Sequence, residues 1–206
     1  MSVKVNIGMI LYNDDKYLSE SIESLLAQTY RHFKLIILDD CSTDNSENIA
    51  LEYSSKDDRI VYLVNKRRNG LAINYKITFR RFAEEVEYFM WVAGHDVYHP
   101  RWLETMVKSL DGNPEAVMAY SLTRRISETG EDLNLRCPHY HSLGQNVIER
   151  IKSICFNARG YGNMIYGLFR IRDVRKVGGV RRCLLPDMLL LHKLSLRGGF
   201  IQVNEI

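Results

Sequence analysis

The sequence predicts an α/β fold with a mostly parallel sheet that is covered by helices on both faces. Apolar runs of strand length alternate with segments of helical periodicity up to about residue 123, as in open parallel sheets whose crossovers are helices. The run FKLIILDD (33–40) is apolar at almost every position, which indicates a strand buried on both faces. Because no repeat or linker interrupts the chain, residues 1–206 are predicted to form a single domain.

The elements of the first half can be placed from apolar spacing and helix signals. Strands are predicted at residues 3–11, 33–40, 59–65, 88–94 and 116–123. An apolar stripe at helical spacing predicts the first helix over residues 16–28. Ser42 or Thr43 can cap the second helix, and a turn at Gly70 leads into the third. Pro100 is predicted to be the first residue of the fourth helix, because its fixed φ suits that position.

The pattern changes in the second half of the chain, where residues 124–145 are polar and rich in turn-forming residues. An amphipathic helix is predicted over residues 146–157, and its apolar face is interpreted as plain core rather than as a partner-binding surface. A strand is predicted over residues 163–171, and Pro186 followed by Asp187 opens a last helix. This half is interpreted as an elaboration of the same domain.

Charge and cysteine content limit the partners and the compartment. The net charge of +3 is too small to indicate nucleic acid, but it suits a cleft for an anionic ligand. The four cysteines are scattered without a C-x-x-C pair, so neither disulfides nor a zinc site is predicted. The sequence shows no signal-peptide pattern and no apolar run of membrane-spanning length, and a cytoplasmic location is therefore expected.

Polar residues follow each of the first four predicted strands. They are Tyr12, Asn13 and Asp14, then Asp39 and Asp40, then Asn65, Asn69 and Gly70, and finally His95 and Asp96. Since the carboxyl ends of parallel strands meet at one edge of a sheet, these residues are predicted to form a ligand site. Neither G-x-G-x-x-G nor a Walker sequence follows the first strand, which argues against a dinucleotide or P-loop site. Carboxylates approach a phosphate only with a divalent cation between them, and oxygen ligands favour Mg²⁺ or Mn²⁺.

Five segments resemble the motifs of family 2 glycosyltransferases, which have the GT-A fold. They are, in order, MILYNDDKYLSESIESLLAQTY, FKLIILDDCSTDNS, NKRRNGLAINYK, WVAGHDVYHPRWLETMVKSLDGNPEAVMAYS and GLFRIRDVRKVGG…PDMLLLHKLSLRGGF. The resemblance runs over nearly the whole chain in the order of the family. It implies a Rossmann-like, α/β GT-A fold and the transfer of a sugar from a nucleotide-diphosphate donor, usually with inversion, to an acceptor hydroxyl.

The resemblance also implies which residues bind the nucleotide. Asp39 would hydrogen-bond the base, through uracil N3–H if the donor is a UDP-sugar. Tyr12 and Asn13 would line the base and ribose pocket. Asn69 and Gly70 would lie on the nucleotide side of the cleft.

A divalent metal, Mn²⁺ or Mg²⁺, and a general base are implied as well. Asp96, with His95 beside it, would bind the metal at the donor diphosphate. Asp187 would be the general base that deprotonates the acceptor hydroxyl. Residues 1–123 would form a nucleotide-binding half, and residues 124–206 an acceptor-side half that is C-terminally short for the family.

The implied partners are a nucleotide-sugar donor and a glycan or lipid-linked acceptor, in glycan or cell-surface polysaccharide synthesis. Such an acceptor is compatible with peripheral membrane association at the inner face of the membrane. The resemblance implies no nucleic-acid partner and no particular oligomeric state.

Several alternatives stay open at this point. Asp187 follows Pro186, so it can also be only a helix N-terminal acid that the helix dipole favours. Asp40 and Ser42 are as compatible with holding a turn as with touching a ligand. His95 stands where the family has an acid, so a nucleotide- or sugar-binding module without turnover is the first rival function. The second rival, a nucleotidyltransferase, is disfavoured because no glycine-rich basic loop follows the first strand.

Overall fold

Seven strands form one sheet in a computed structural model that describes residues 3–83, 86–133, 140–156 and 161–204. The strands are β1 Val5–Leu11, β2 Phe33–Asp39, β3 Ile60–Val64, β4 Tyr88–Ala93, β5 Ala116–Ser121, β6 Leu168–Arg170 and β7 Gly199–Val203. Their order across the sheet is β3-β2-β1-β4-β6-β5-β7. Neighbouring strands are parallel except at β6, which is antiparallel to both β4 and β5. The prediction of a mostly parallel sheet is confirmed.

The register of the first four strands aligns their carboxyl ends. Leu11 pairs with Asp39 between β1 and β2, and Asp39 pairs with Val64 between β2 and β3. On the other side of β1, Ile10 pairs with Ala93 at the end of β4. The chain therefore leaves all four strands at the same edge of the sheet. We call this edge the carboxyl edge and define it by residues 12–14, 40–45, 65–70 and 94–99.

Helices cover both faces of the sheet, as predicted. They are α1 Asp15–Leu26, α2 Ser46–Lys56, α3 Leu71–Phe82, α4 Trp102–Asp111, α5 Val147–Phe156, α6 Ile171–Lys176 and α7 Pro186–Ser195, and a 3₁₀ helix spans Tyr161–Tyr166. One apolar core includes Leu18 and Ile22 of α1 and Trp102 of α4. The other includes Phe79 of α3 and Leu190 of α7. Burial of apolar side chains on both faces explains why the central strands read as continuous apolar runs.

The strand predicted over residues 163–171 is confirmed only at residues 168–170. The segment forms the 3₁₀ helix, then the three-residue strand β6, and then the start of α6. Met164 and Ile165 of the 3₁₀ helix are buried, so the run is apolar although most of it is not extended. In so short an apolar run, the spacing of the apolar residues does not distinguish a strand from a helical segment.

The helix predicted over residues 146–157 is present as α5, but the interpretation of its face as plain core is wrong. On that face Ile154 is fully buried, whereas Val147 and Ile148 are 42% and 61% exposed. The helix packs against α7 along only part of its apolar stripe. The rest of the stripe faces solvent in the described residues.

Two predicted helix starts are also wrong. Neither Ser42 nor Thr43 caps α2, which begins at Ser46, because both side chains bond to the loop after β1 instead. Pro100 lies in the turn before α4 rather than in the helix. Its carbonyl oxygen accepts a hydrogen bond from the Thr29 N–H at 2.8 Å, and so ties this turn to the end of α1.

Two further observations concern the membrane and the thiols. Within the four described ranges, no helix combines the length and the apolar character that crossing a membrane requires. Cys41, Cys155 and Cys183 are free thiols, and Cys137 lies outside the described residues.

Candidate active site

The loops after β1 and β2 are tied together at the carboxyl edge. Asn13 has a left-handed backbone with φ 54°, a conformation that asparagine adopts more readily than most residues. Its N–H donates to Ser42 Oγ at 3.1 Å, and its Oδ1 accepts the Thr43 N–H at 2.8 Å. The Asp14 N–H donates to Ser46 Oγ at 3.1 Å. Asn13, predicted to line the ribose pocket, therefore also holds the two loops in place.

Asp39, predicted to bind the base, ends β2 and is 1% exposed. Its Oδ1 accepts the Ser42 N–H at 2.7 Å and the Ser42 hydroxyl at 2.8 Å. Its Oδ2 accepts the Tyr62 hydroxyl at 3.0 Å, and burial together with this bond raises the pKa of Tyr62. Since a carboxylate oxygen has two acceptor sites, Oδ2 retains one for a ligand. A base can reach it only by displacing neighbouring atoms.

Asp40 organises the turn that leads into α3. Its Oδ1 accepts the Asn65 side-chain N–H and the Asn69 backbone N–H, and its Oδ2 accepts the Gly70 N–H, each at 2.8 Å. Burial opposes ionisation of Asp40, but these hydrogen bonds outweigh burial and lower its pKa. Asn69 and Gly70, predicted as nucleotide contacts, thus donate their backbone N–H groups to Asp40. The Asn69 side chain remains for a ligand.

Replacing Asp40 with Asn is expected to lower the free energy of unfolding at neutral pH by about 3 kcal/mol. Hydrogen bonds to a charged group contribute roughly 1.5–3 kcal/mol each, and an amide cannot accept hydrogen bonds at both ends. Urea unfolding of the wild type and the variant measures this difference, with Asp58→Asn at an exposed loop position as the control.

The same pair of proteins tests the pH dependence. Because the pKa of Asp40 is lowered in the folded state, its stabilisation is fully present above the unfolded pKa and is lost as the pH falls through the folded pKa. The difference between wild type and Asp40→Asn should therefore shrink on acidification. A difference that stays constant down to strongly acidic pH would contradict the role given to Asp40.

Tyr12, predicted to line the base pocket, stacks with a residue that the sequence did not point to. The Arg68 guanidinium carbon lies 3.8 Å from the centre of the Tyr12 ring, which is a close cation–π contact. Arg68 directly precedes Asn69 in the turn held by Asp40. It brings a positive charge to the carboxyl edge and covers one side of the Tyr12 ring.

His95 pairs with Asp14 across the carboxyl edge. Its Nδ1 lies 3.0 Å from Asp14 Oδ1, and this hydrogen bond raises the pKa of His95. The approach depends on Gly94, because a Cβ at that position would lie 3.0 Å from Asp14 Oδ2. Asp14 was predicted to lie at this edge with the other polar residues after the first strand, but no role was assigned to it, and its contact with His95 was not predicted.

Asp96 lies beside this pair and is half-buried. Burial raises its pKa, the charge of Asp14 adds to the rise, and His95 opposes it. Within the described parts of the chain, no three histidine, cysteine or acidic side chains converge closely enough to hold a metal ion alone. His95 and Asp96, predicted as metal ligands, thus do not form a complete metal site with their neighbours in the described residues.

Asp187 lies in the first turn of α7, behind Pro186, and is half-buried. The hydroxyls of Tyr75 and Tyr166 are 3.4 Å apart. Burial is the main cause that raises the pKa of each tyrosine, and the charges of both Asp96 and Asp187 add to the rise. The two acids thus act electrostatically on one tyrosine pair, although they are far apart in sequence. Neither tyrosine was identified from the sequence.

Two solved structures share this fold. The structure of S. aureus TarS 1-349 in complex with UDP-GlcNAc has a TM-score of 0.72 and 16% identity, and the match covers 98% of this chain and 59% of TarS. The mannosyltransferase from Pyrobaculum calidifontis in complex with GDP-Man and Mn²⁺ has a TM-score of 0.72 and 13% identity, and the match covers 100% of this chain and 56% of that protein. The sheet order and these likenesses define a GT-A fold, the fold of nucleotide-diphospho-sugar transferases.

The sequence comparisons identify the family. The sequence model of the family Glycosyl transferase family 2 matches residues 6–164. The chain belongs to this family. An uncharacterized glycosyltransferase from Rickettsia typhi is 36% identical over 174 residues, which cover 76% of this chain and 52% of that protein. The chain thus spans about half the length of this curated relative.

Proposed function

We propose that this domain transfers a sugar from a nucleotide-diphosphate donor, with a UDP-sugar as the first candidate, to an acceptor hydroxyl with inversion. The observation that carries the proposal is the arrangement of three acids. Asp39 ends β2 beside the carboxyl edge, Asp96 lies on that edge after β4, and Asp187 is within electrostatic range of the same tyrosine pair as Asp96. TarS with bound UDP-GlcNAc and the mannosyltransferase with GDP-Man and Mn²⁺ support a nucleotide-sugar donor.

In this proposal residues 1–123 form the nucleotide-binding half. The residues of that half that bind the donor lie between positions 12 and 70. The base hydrogen-bonds to the free acceptor site of Asp39 Oδ2 and lies near Tyr12, with Asn13 and Asn69 along the ribose side. Gly70 acts through the turn that Asp40 fixes. Arg68 is close enough to the Tyr12 ring to approach the base or the diphosphate.

Asp96 would hold a divalent cation, Mn²⁺ or Mg²⁺, with His95 and Asp14 beside it. When bound, such a cation supplies electrostatic stabilisation of the charge that develops on the leaving diphosphate. Asp96 is suited to this part because its carboxylate is half-buried and its pKa is raised by burial, so that a nearby positive charge is favourable. His95 presents its other ring nitrogen, Nε2, because Nδ1 is engaged with Asp14.

Asp187 acts as the general base in this proposal. It takes the proton of the acceptor hydroxyl while the oxygen attacks the anomeric carbon opposite the leaving diphosphate, which gives inversion. The acceptor-side half, residues 124–206, would hold a glycan or lipid-linked acceptor for glycan or cell-surface polysaccharide synthesis. Action at the inner face of the membrane is part of the same proposal.

The nucleotide part is tested by thermal shift with a panel of nucleoside diphosphates, with and without Mn²⁺. UDP is expected to raise the melting temperature of the wild type most, because a ligand that binds only the folded state stabilises it. Asp39→Asn should lose the preference for UDP, since an amide nitrogen at that position cannot accept the uracil N3–H. The control is again Asp58→Asn. If the wild type responds equally to every nucleotide, or to none, the assignment of Asp39 fails.

One observation favours a second candidate, a nucleotide-binding module without turnover. His95 occupies the position of an acid, and its pairing with Asp14 at 3.0 Å uses part of the negative charge that a cation would need. Measurement of UDP-sugar hydrolysis with Mn²⁺ separates the two candidates. Binding of UDP without any hydrolysis would favour the module.

A further inference from the structure

A cavity of about 570 Å³ lies away from the carboxyl edge, between α3 on one side and the end of α6 with the segment that follows it on the other. Its lining includes Lys76, Phe79, Arg80, Arg175, Gly179 and Val180. None of the residues assigned to the donor, the metal or the base lines it. Its volume is within the range of small-molecule sites, roughly 300–1,000 Å³. The proposed sugar transfer therefore gives this cavity no role.

The floor of the cavity is apolar and held in place by the core. The Phe79 ring packs edge-on against Phe89 with centroids 5.5 Å apart, and its centroid lies 5.9 Å from that of Trp91. Gly179 passes close over Phe79, since a Cβ on Gly179 would lie 3.6 Å from the ring. Its φ of 64° also disfavours any other residue at this position. The floor is thus fixed by the core, and only a small part of the Phe79 ring, which is 6% exposed, reaches the cavity.

Three cations surround this floor. Lys76 and Arg80 are one turn apart on α3, and Arg175 faces them from α6. In the described ranges none of the three forms an ion pair with a carboxylate. Arg175 donates from Nη2 to the Ala83 carbonyl oxygen at 2.7 Å, which orients its guanidinium and leaves other N–H groups for a ligand. The cavity lining holds three positive charges and no acid.

The buried acid of α6 does not neutralise these cations. Asp173 is 5% exposed and pairs with Arg172 at 3.3 Å and with Arg197 at 3.4 Å. Its charge is therefore already balanced by two other arginines. The attraction that Lys76, Arg80 and Arg175 exert remains available to a ligand.

We propose that this cavity binds a phosphate-bearing organic anion. The phosphate groups lie against Lys76, Arg80 and Arg175, because guanidinium and ammonium groups are the preferred partners of phosphate oxygens. The organic part lies against the small apolar surface of Phe79 and Val180 that reaches the cavity, since the two residues are 6% and 3% exposed. A soluble phosphate ester and a phospholipid headgroup share this chemistry, and the experiment distinguishes them.

The soluble arm is calorimetric titration of the whole chain with geranyl diphosphate and with pyrophosphate, in the presence of EDTA. Geranyl diphosphate should bind somewhat more tightly than pyrophosphate, because its chain adds a small apolar contact with Phe79 and Val180. The double variant Lys76→Ala, Arg80→Ala should bind geranyl diphosphate at least about 10-fold more weakly, equivalent to roughly 1.4 kcal/mol. Arg81→Ala is the matched control, because Arg81 is the next residue of the same helix and is exposed but does not line the cavity.

The lipid arm is sedimentation with vesicles of phosphatidylcholine, with or without phosphatidic acid. Binding of geranyl diphosphate identifies a soluble ester as the ligand class, and binding only of the vesicles with phosphatidic acid identifies a headgroup. In either case the double variant must lose the binding and Arg81→Ala must keep it. If both variants lost binding equally, the binding would be due to the overall positive charge of the surface, and the proposal would be overturned. Absence of binding in both arms would overturn it as well.

The result is independent of the proposed sugar transfer. Asp96→Asn, at the carboxyl edge, is expected to bind geranyl diphosphate like the wild type in EDTA. Loss of binding in Asp96→Asn together with normal binding in the double variant would place the ligand at the donor site, and so overturn the cavity proposal. A failure of UDP to stabilise the protein would leave the cavity result unaffected.

Discussion

Replacing Asp187 with Asn is expected to slow UDP-sugar hydrolysis and sugar transfer by about 10²–10⁴-fold, the range that a general base contributes. Asn has nearly the same shape as Asp and can occupy the first turn of α7, but it cannot take a proton from the acceptor. The affinity for UDP should stay unchanged, because Asp187 is not assigned to the nucleotide. The measurement is the rate of UDP release from a panel of UDP-sugars with Mn²⁺, together with a UDP titration of each protein.

The control for Asp187→Asn addresses the simpler role of a helix N-terminal acid. Glu47 lies in the first turn of α2 and is exposed, so Glu47→Gln removes a comparable interaction with a helix dipole at a different place. Both variants should lose up to about 1 kcal/mol of stability, and only Asp187→Asn should lose turnover. Equal turnover in all three proteins would leave Asp187 as a helix-terminal acid and remove the base from the mechanism.

Replacing Asp96 with Asn is expected to lower turnover by about 100-fold, since charge stabilisation by a bound cation contributes several kcal/mol to such a reaction. The stability of the metal-free protein should stay the same or rise, because a half-buried carboxylate whose pKa is raised by burial opposes folding in its charged form. The stabilisation by Mn²⁺ in the presence of UDP should disappear. Thermal unfolding with and without Mn²⁺ and UDP measures both effects.

His95→Asp provides the complementary test of the same site. It restores a second carboxylate next to Asp96 and should increase the stabilisation by Mn²⁺ in the presence of UDP. Without metal it should destabilise the protein, because Asp14 would then face a carboxylate instead of an imidazole at 3.0 Å. If Mn²⁺ stabilises neither the wild type nor His95→Asp, this part of the carboxyl edge does not bind a divalent cation.

The parts of the fold that the sequence could predict are those with long, unambiguous apolar patterns. β1 and β2 are buried at nearly every position, so their runs are continuous, and α1 shows a regular stripe. The 3₁₀ helix and α6 were missed and β6 was predicted too long, because each is six residues long or shorter, which is too short for a period to show. The position of β6 between β4 and β5 depends on packing that no local pattern encodes.

The candidate site divides in a similar way. The residues at strand ends were predictable, because chain order alone brings Asp39 and Asp96 to one edge of a parallel sheet. The partners of those residues were not predictable, because they depend on contacts between loops. Asp14 approaches His95 only because Gly94 lacks a side chain, and Tyr75 meets Tyr166 from a distant part of the sequence.

The short strand β6 makes completion of the sheet depend on a late part of the chain. β4 and β5 do not pair with each other, and β6 pairs with each of them through only two residue pairs. During synthesis from the N-terminus, β5 therefore leaves the ribosome before either of its partners, β6 and β7, has been made. The strands β1 to β4 can assemble first, while β5 and one edge of β4 remain unpaired. Such edges favour association between chains, so the nascent protein is expected to be most vulnerable to aggregation before β6 and β7, which end at Arg170 and Val203, have emerged.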